Sequence, residues 1–144
     1  TRYHVSPDRL KLEITERLLL HDAQYAKRQL AALTDIGLDI YMDDFGTGYS
    51  NLTGVLDSPF SFIKLDRSLV FHVPEDHQAE LMVRTLMSLF HDMGKRLVAE
   101  GVETEVQALR LQDLGADMIQ GFYYARPMPP EELASFFSQA YPQP

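Results

Sequence analysis

Two adjacent carboxylates, Asp43 and Asp44, stand in the run Met42-Asp43-Asp44-Phe45-Gly46-Thr47-Gly48-Tyr49-Ser50-Asn51-Leu52. Unpaired neighbouring acids repel and push one pKa up, and a divalent cation removes that penalty. Side chains alternate along a strand, so Asp43 and Asp44 can reach two sites at its end, with Asp43 able to bridge them. Glycines at 46 and 48 allow a tight, movable turn. The plainer alternative is that the pair caps a helix starting near Tyr49.

Three further motifs carry chemistry. In Ile63-Lys64-Leu65-Asp66, a lysine inside an acidic site can hold a water or neutralise a phosphate oxygen, or it can simply pair with Asp66. In Ala99-Glu100-Gly101-Val102-Glu103-Thr104, Glu100 ends a strand. Glu103 opens a helix, where the dipole favours a carboxylate anyway, so the structural explanation is stronger for Glu103 than for Glu100. Gln120-Gly121-Phe122-Tyr123-Tyr124-Ala125-Arg126-Pro127 suits contact with a planar base or a phosphate, and equally suits barrel closure. The five histidines, at 4, 21, 72, 77 and 91, show no metal-ligand spacing. Met82, Met87 and Phe90 read as core packing.

These groups need a scaffold, and the punctuation of the chain supplies one. Asp35-Ile36-Gly37, Asp92-Met93-Gly94 and Asp113-Leu114-Gly115 each close an amphipathic segment, as a left-handed helix cap requires. The helical stripes are Ala26, Leu30 and Leu33; Leu81, Leu86, Leu89 and Phe90; and Val106, Leu109 and Leu114. The runs that follow, 38–42, 96–99 and 117–119, read as strands, and 11–15 and 60–65 make five. Strands alternating with helices predict βα units and a parallel sheet. Asp43, Glu100 and Gln120 sit five or six residues beyond a cap glycine, and Glu13 and Lys64 occupy similarly late strand positions. Barrels and doubly wound sheets both bind ligands at that edge, so the pattern leaves the two architectures open. A complete (β/α) barrel takes about 250 residues. On that scale the chain is expected to be about five-eighths of one, with three strands upstream.

Composition bounds the rest. The 144 residues carry 13 basic and 21 acidic side chains, for a net charge of −8, with 45% hydrophobic residues. That is a globular composition. The acidity argues against DNA binding, and no apolar run is long enough for membrane insertion. With no cysteine, disulfides and thiolate zinc sites are excluded. An acidic protein can still take a phosphate ligand through bridging metal ions. The chain starts at Thr1 and runs almost at once into a core strand, which suggests a piece of something longer.

In order and spacing, Glu13-Ile14-Thr15-Glu16, Asp43 to Gly48, Lys64-Leu65-Asp66, Ala99 to Thr104 and Gln120-Gly121 resemble the bacterial EAL domain, from Val5 to about Phe137. That family hydrolyses the second messenger cyclic di-GMP to linear pGpG on a modified TIM barrel. The resemblance implies a partial TIM-type barrel of about five β/α units. Residues 1–144 would be the C-terminal part of a single domain, with 1–8 and 141–144 peripheral. It implies Glu13, Asp43, Asp44 and Glu100 as ligands of two Mg²⁺ or Mn²⁺ ions, Asp43 being shared. Lys64 would orient the attacking water, and Gln120, Asp66 and Glu103 would lie at the substrate. Glu16 would steady the loop of Phe45, Gly46, Thr47 and Gly48, which in the family links the metal site to dimerisation. A bacterial cytoplasmic location is implied, with a parent tethered to a membrane through other domains where it is tethered at all.

The chain departs from the family in one respect: it contains no Glu-Ala-Leu tripeptide, and the asparagine ligand that accompanies it is missing too. Three expectations follow. The isolated chain should have little or no phosphodiesterase activity, should bind metal weakly, and should associate with another copy or swap segments with it. The competing readings are a non-catalytic cyclic di-GMP receptor or interaction module and, without the family, another metal-dependent barrel enzyme such as an enolase-type lyase.

Overall fold

A computed structural model describes residues 4–15, 23–48, 52, 55 and 58–140. After a 3-10 turn at Pro7–Arg9 come β1 (Lys11–Thr15), α1 (Ala23–Asp35), β2 (Asp39–Phe45), β3 (Phe62–Leu65) and α2 (Arg67–Val70). There follow α3 (His77–Asp92), β4 (Arg96–Ala99), α4 (Glu105–Asp113), β5 (Met118–Ile119) and α5 (Pro130–Ala140). The strands form one parallel sheet in the order β1-β2-β3-β4-β5. Sequential order without a reversal leaves no topological switch point, so the architecture is barrel-like rather than doubly wound.

The cap glycines behave as their spacing predicts. Gly94 N–H donates to the His91 carbonyl and Lys95 N–H to Phe90, and the same pair of bonds recurs at Gly37 and at Gly115. This double closure satisfies helix-end carbonyls and turns the chain into the next strand.

The two sheet faces differ in chemistry. Ile14, Ile40, Met42, Ile63, Leu65, Leu97, Ala99 and Ile119 belong to the main core, which packs under the helices. Tyr41, Phe62 and Val98 form a separate buried group on the other face. Tyr41 and Phe62 stack with ring centroids 4.3 Å apart, and the Arg96 guanidinium lies 4.3 Å from the Phe62 centroid. These residues fill the sheet's inner surface below the row that carries the polar groups.

Some helical stripes differ from expectation. The face of α3 that faces the sheet is Glu80, Val83, Met87 and Phe90, while Leu81, Met82 and Leu89 are exposed on the other side. In α4 the buried residues are Gln107, Ala108 and Leu111, and Val106 and Leu109 are exposed. Both helices carry apolar residues on two faces: of the expected stripes, Leu86, Phe90 and Leu114 pack against the core, while Leu81, Leu89, Val106 and Leu109 do not. Buried Glu80 is satisfied by Arg84 and by two bonds from Arg110, which tie α3 to α4.

Candidate active site

The polar groups converge at the C-terminal end of the sheet. Lys64 points from β3 to the inner face, one residue pair beyond Phe62. Its Nζ lies 2.9 Å from Glu13 Oε1 on β1, 2.9 Å from Asp43 Oδ1 on β2 and 2.7 Å from Glu100 Oε1 just after β4. Four segments thus meet on one ammonium, whose side chain is only 6% exposed. The simple pairing of Lys64 with Asp66 does not occur. Asp66 instead caps α2 through Ser68 N–H at 2.9 Å, and that bond holds its carboxyl below the usual range.

A bulge in β2 sets where the two aspartates go. Met42 pairs with Ile63 and Phe45 with Leu65, so β2 carries one residue more than β3 across this stretch. Asp44 takes up the extra residue with φ +59°. Such a bulge re-aims side chains. Asp43 stays on the inner face with Lys64, whereas Phe45 turns over into the core, where it meets Phe90 edge-on at 5.1 Å. Asp44 is exposed and has no ion pair with Lys64, so the structure separates it from Glu13, Asp43 and Glu100. The turn that follows is closed by Thr47, whose N–H and hydroxyl both donate to the Asp44 carbonyl. Leu69 packs over Gly46 so closely that a Cβ there would lie 2.3 Å from it. Gly48 faces open space. Glu16 and the helix cap envisaged near Tyr49 lie outside the described residues.

The electrostatics of the cluster are lopsided. Burial alone would push the Lys64 ammonium toward losing its proton. Its close contacts with Glu100, Glu13 and Asp43 outweigh that and hold its pKa above the ordinary lysine value. Burial also raises the pKa of Glu100, partly offset by Lys64. Three carboxylates against one ammonium leave two negative charges unbalanced. Asp43 Oδ1 is buried and sits off the direction a hydrogen bond from Lys64 requires, so the contact is an ion pair only. A buried carboxylate oxygen without a hydrogen bond is costly. Together with an all-oxygen donor set, that fits a hard divalent cation. Among the described residues, no three Asp, Glu or His side chains already stand grouped as metal ligands. The carboxylates close on the ammonium instead.

Beside the cluster opens a cleft of about 310 Å³ lined by Asp66, Arg67, Glu100, Gly101, Glu103, Gln120, Gly121 and Phe122. Glu103 pairs with Arg67 at 2.9 Å rather than capping α4, whose cap is Thr104 in a reciprocal box with Gln107. Arg67 was not singled out from the sequence, although its place directly after Asp66 marks it as part of the same turn. Gln120 follows β5 and is exposed to the cleft. Phe122 forms the cleft's aromatic rim, with the Arg126 guanidinium 4.4 Å from its ring centroid. The structure therefore brings Glu13, Asp43, Lys64 and Glu100 into contact, and places Asp66, Glu103 and Gln120 along one adjoining wall.

Comparison with known proteins places this geometry in context. The EAL domain family matches residues 1–127. The cyclic di-GMP phosphodiesterase RocR of Pseudomonas aeruginosa is 36% identical over 138 residues, which cover 96% of this chain and 35% of RocR. The signaling protein YkoW of Bacillus subtilis is 33% identical over 94% of this chain and 17% of its own. Among solved structures, the cyclic di-GMP complex of the PaMucR phosphodiesterase is 39% identical with a TM-score of 0.84, covering 92% of this chain and 53% of that one. The EAL domain of Mycobacterium smegmatis DcpA is 33% identical with a TM-score of 0.89, over 96% of this chain and 62% of that one. A manganese and cyclic di-GMP complex of Klebsiella pneumoniae BlrP1 matches with a TM-score of 0.79 at 32% identity, over 85% of this chain and 31% of that one. This chain thus spans less than two thirds of each of these chains, and as little as 17%.

Proposed function

The chain belongs to the EAL domain family, and from that premise we propose that it carries the C-terminal part of a single EAL domain that hydrolyses cyclic di-GMP to linear pGpG. The observation that carries this reading is the meeting of Glu13, Asp43 and Glu100 within 2.7–2.9 Å of Lys64 at the strand ends. Phosphodiester hydrolysis needs an activated water and a counter-charge for the phosphoryl oxygens. Bound Mg²⁺ or Mn²⁺ ions supply both. Glu13, Asp43, Asp44 and Glu100 would hold them in this reading. The outward turn of Asp44 at the bulge suits a role at a second ion beyond Asp43.

The chain's own groups do the rest. Lys64 donates a proton-bearing bond to the attacking water and holds it in line. Gln120 and Phe122 face the substrate from the cleft wall, the amide for polar edges and the ring for a base. The Arg67–Glu103 pair closes the far side, and Asp66 fixes the turn that presents Arg67. The loop of Phe45, Gly46, Thr47 and Gly48 is anchored by Phe45 and Leu69 and adjusts at its glycines; in this reading Glu16, outside the described residues, would be its support. β1 and β5 each pair on one side only among the described residues, so a second copy or a swapped segment would cover those edges. No helix among the described residues is long and apolar enough to cross a membrane. Cytoplasmic work, on a messenger made inside the cell, is part of the same proposal.

Chromatographic assay of cyclic di-GMP with Mg²⁺ or Mn²⁺ tests the reading. A chain that extends this sequence upstream through a Glu-Ala-Leu segment should produce pGpG and lose that activity with Glu100→Gln. The 144-residue chain alone should turn over little, because it has no Glu-Ala-Leu. Efficient hydrolysis by the 144-residue chain overturns the assignment of missing ligands. Tight cyclic di-GMP binding without hydrolysis by the extended chain replaces the enzyme with a receptor.

A further inference from the structure

Among the described residues, Lys64 is the one side chain that touches all three of the converging carboxylates. One ammonium charge faces three carboxylate oxygens, which stand 2.9, 2.9 and 2.7 Å from Nζ. Its burial, at 6% side-chain exposure, leaves little room for water between them. Its register partner on β4 is Val98, a buried residue of the inner face. Glu13 comes from β1, two strands away on one side, and Glu100 from the end of β4, the next strand on the other. Repulsion would drive the three apart without the charge between them.

We infer that Lys64 is the resident cation of this cluster: its ammonium draws Glu13, Asp43 and Glu100 together, and a divalent cation taking the same oxygens must displace it. The inference rests on the reading that these carboxylates face metal. A cation bound to carboxylate oxygens lies about 2.0–2.6 Å from them, which puts a charged Nζ still touching the same atoms within strong repulsion of it. A lysine suits this role better than an arginine, since it carries a compact charge on a flexible four-carbon stem that can withdraw. Lys64 is in this sense a positioning residue for the ligands, in addition to its place beside the attacking water.

The test uses the 144-residue chain, with Mn²⁺ alone as the probe and free Mn²⁺ followed by its electron paramagnetic resonance signal. Lys64→Met removes the charge and keeps the volume. Its Mn²⁺ affinity should exceed that of the unmodified chain by roughly tenfold or more. Its melting temperature should fall in EDTA and recover with Mn²⁺ by more than the unmodified chain gains. If Lys64→Met does not fold in EDTA, Lys64→Arg takes its place. Arginine keeps the charge but spreads it over a planar guanidinium that cannot sit as one point between the three carboxylates, so its affinity should lie above that of the unmodified chain. Equal or weaker Mn²⁺ binding by the variant, while the unmodified chain binds, overturns the inference and leaves the metal reading standing. Failure of both to bind Mn²⁺ at millimolar concentration overturns the two together.

Discussion

Gly121→Ala tests how the site's far wall is held. A Cβ on Gly121 would stand 2.0 Å from the Val102 carbonyl oxygen, 2.4 Å from Val102 N and 2.6 Å from its carbonyl carbon. Ordinary contact between carbons is about 3.5–4.0 Å, so the two segments would have to part by about 1 Å or more. All three atoms are backbone, and no rotamer change relieves the clash. The same two segments are joined by Val102 N–H to the Gln120 carbonyl at 3.2 Å and Tyr123 N–H to the Val102 carbonyl at 3.1 Å. Overpacking costs about 1–3 kcal/mol, and each weakened hydrogen bond about 1 kcal/mol. The expected loss is therefore about 3–5 kcal/mol, against a gain of about 0.4–1 kcal/mol from the stiffer unfolded chain. For a chain of this size, that lowers the melting temperature by about 10 °C. Thermal unfolding followed by circular dichroism measures it. A drop of less than about 3 °C would falsify the claim that Gly121 is required for this close approach. Because Gln120 and Phe122 flank the glycine, the same change should also widen the cleft.

Other expectations concern stability. The bonds from Arg110 and Arg84 hold the Glu80 carboxyl at about 2, below its ordinary 4.5. A depressed folded pKa gives stability that is complete above 4.5 and lost as the pH falls toward 2. Glu80→Gln should flatten the acid limb of stability against pH in that window; an unchanged slope would remove Glu80 from the account. Met87 is buried and Met82 exposed. Met87→Ala should cost about 2–5 kcal/mol in urea unfolding and Met82→Ala no more than about 0.5 kcal/mol, and comparable losses at both would restore the sequence-based reading that both pack in the core. Arg67 and Glu103 pair with side chains 51% and 37% exposed. Glu103→Gln should therefore lower stability by less than about 1 kcal/mol, and a larger loss in the same assay would mean the pair is more buried than it looks.

Much of this molecule can be read before it is folded, for reasons that are local. A glycine past each helix needs only its own left-handed conformation, and Gly37, Gly94 and Gly115 all take it. Strand composition and helix alternation need only neighbours in sequence, so the five parallel strands and the late positions of Lys64, Glu100 and Gln120 follow. What depends on partners is less visible. The exposed side of α3 carries Leu81, Met82 and Leu89, which are as apolar as the side that packs. Asp66 was one choice among two for Lys64, and the ion pairs from β1 and β4 appear only when those strands are brought alongside. The bulge in β2 makes the same point most sharply. By alternation, Phe45 belongs on the face of Asp43, yet it is buried on the other, because one extra residue opposite β3 turns everything after Asp44 over. A slip of one residue exchanges the two faces of a strand. Whether Asp43 or Asp44 meets Lys64 is therefore decided by pairing with β3, and no property of the Asp-Asp sequence alone can decide it.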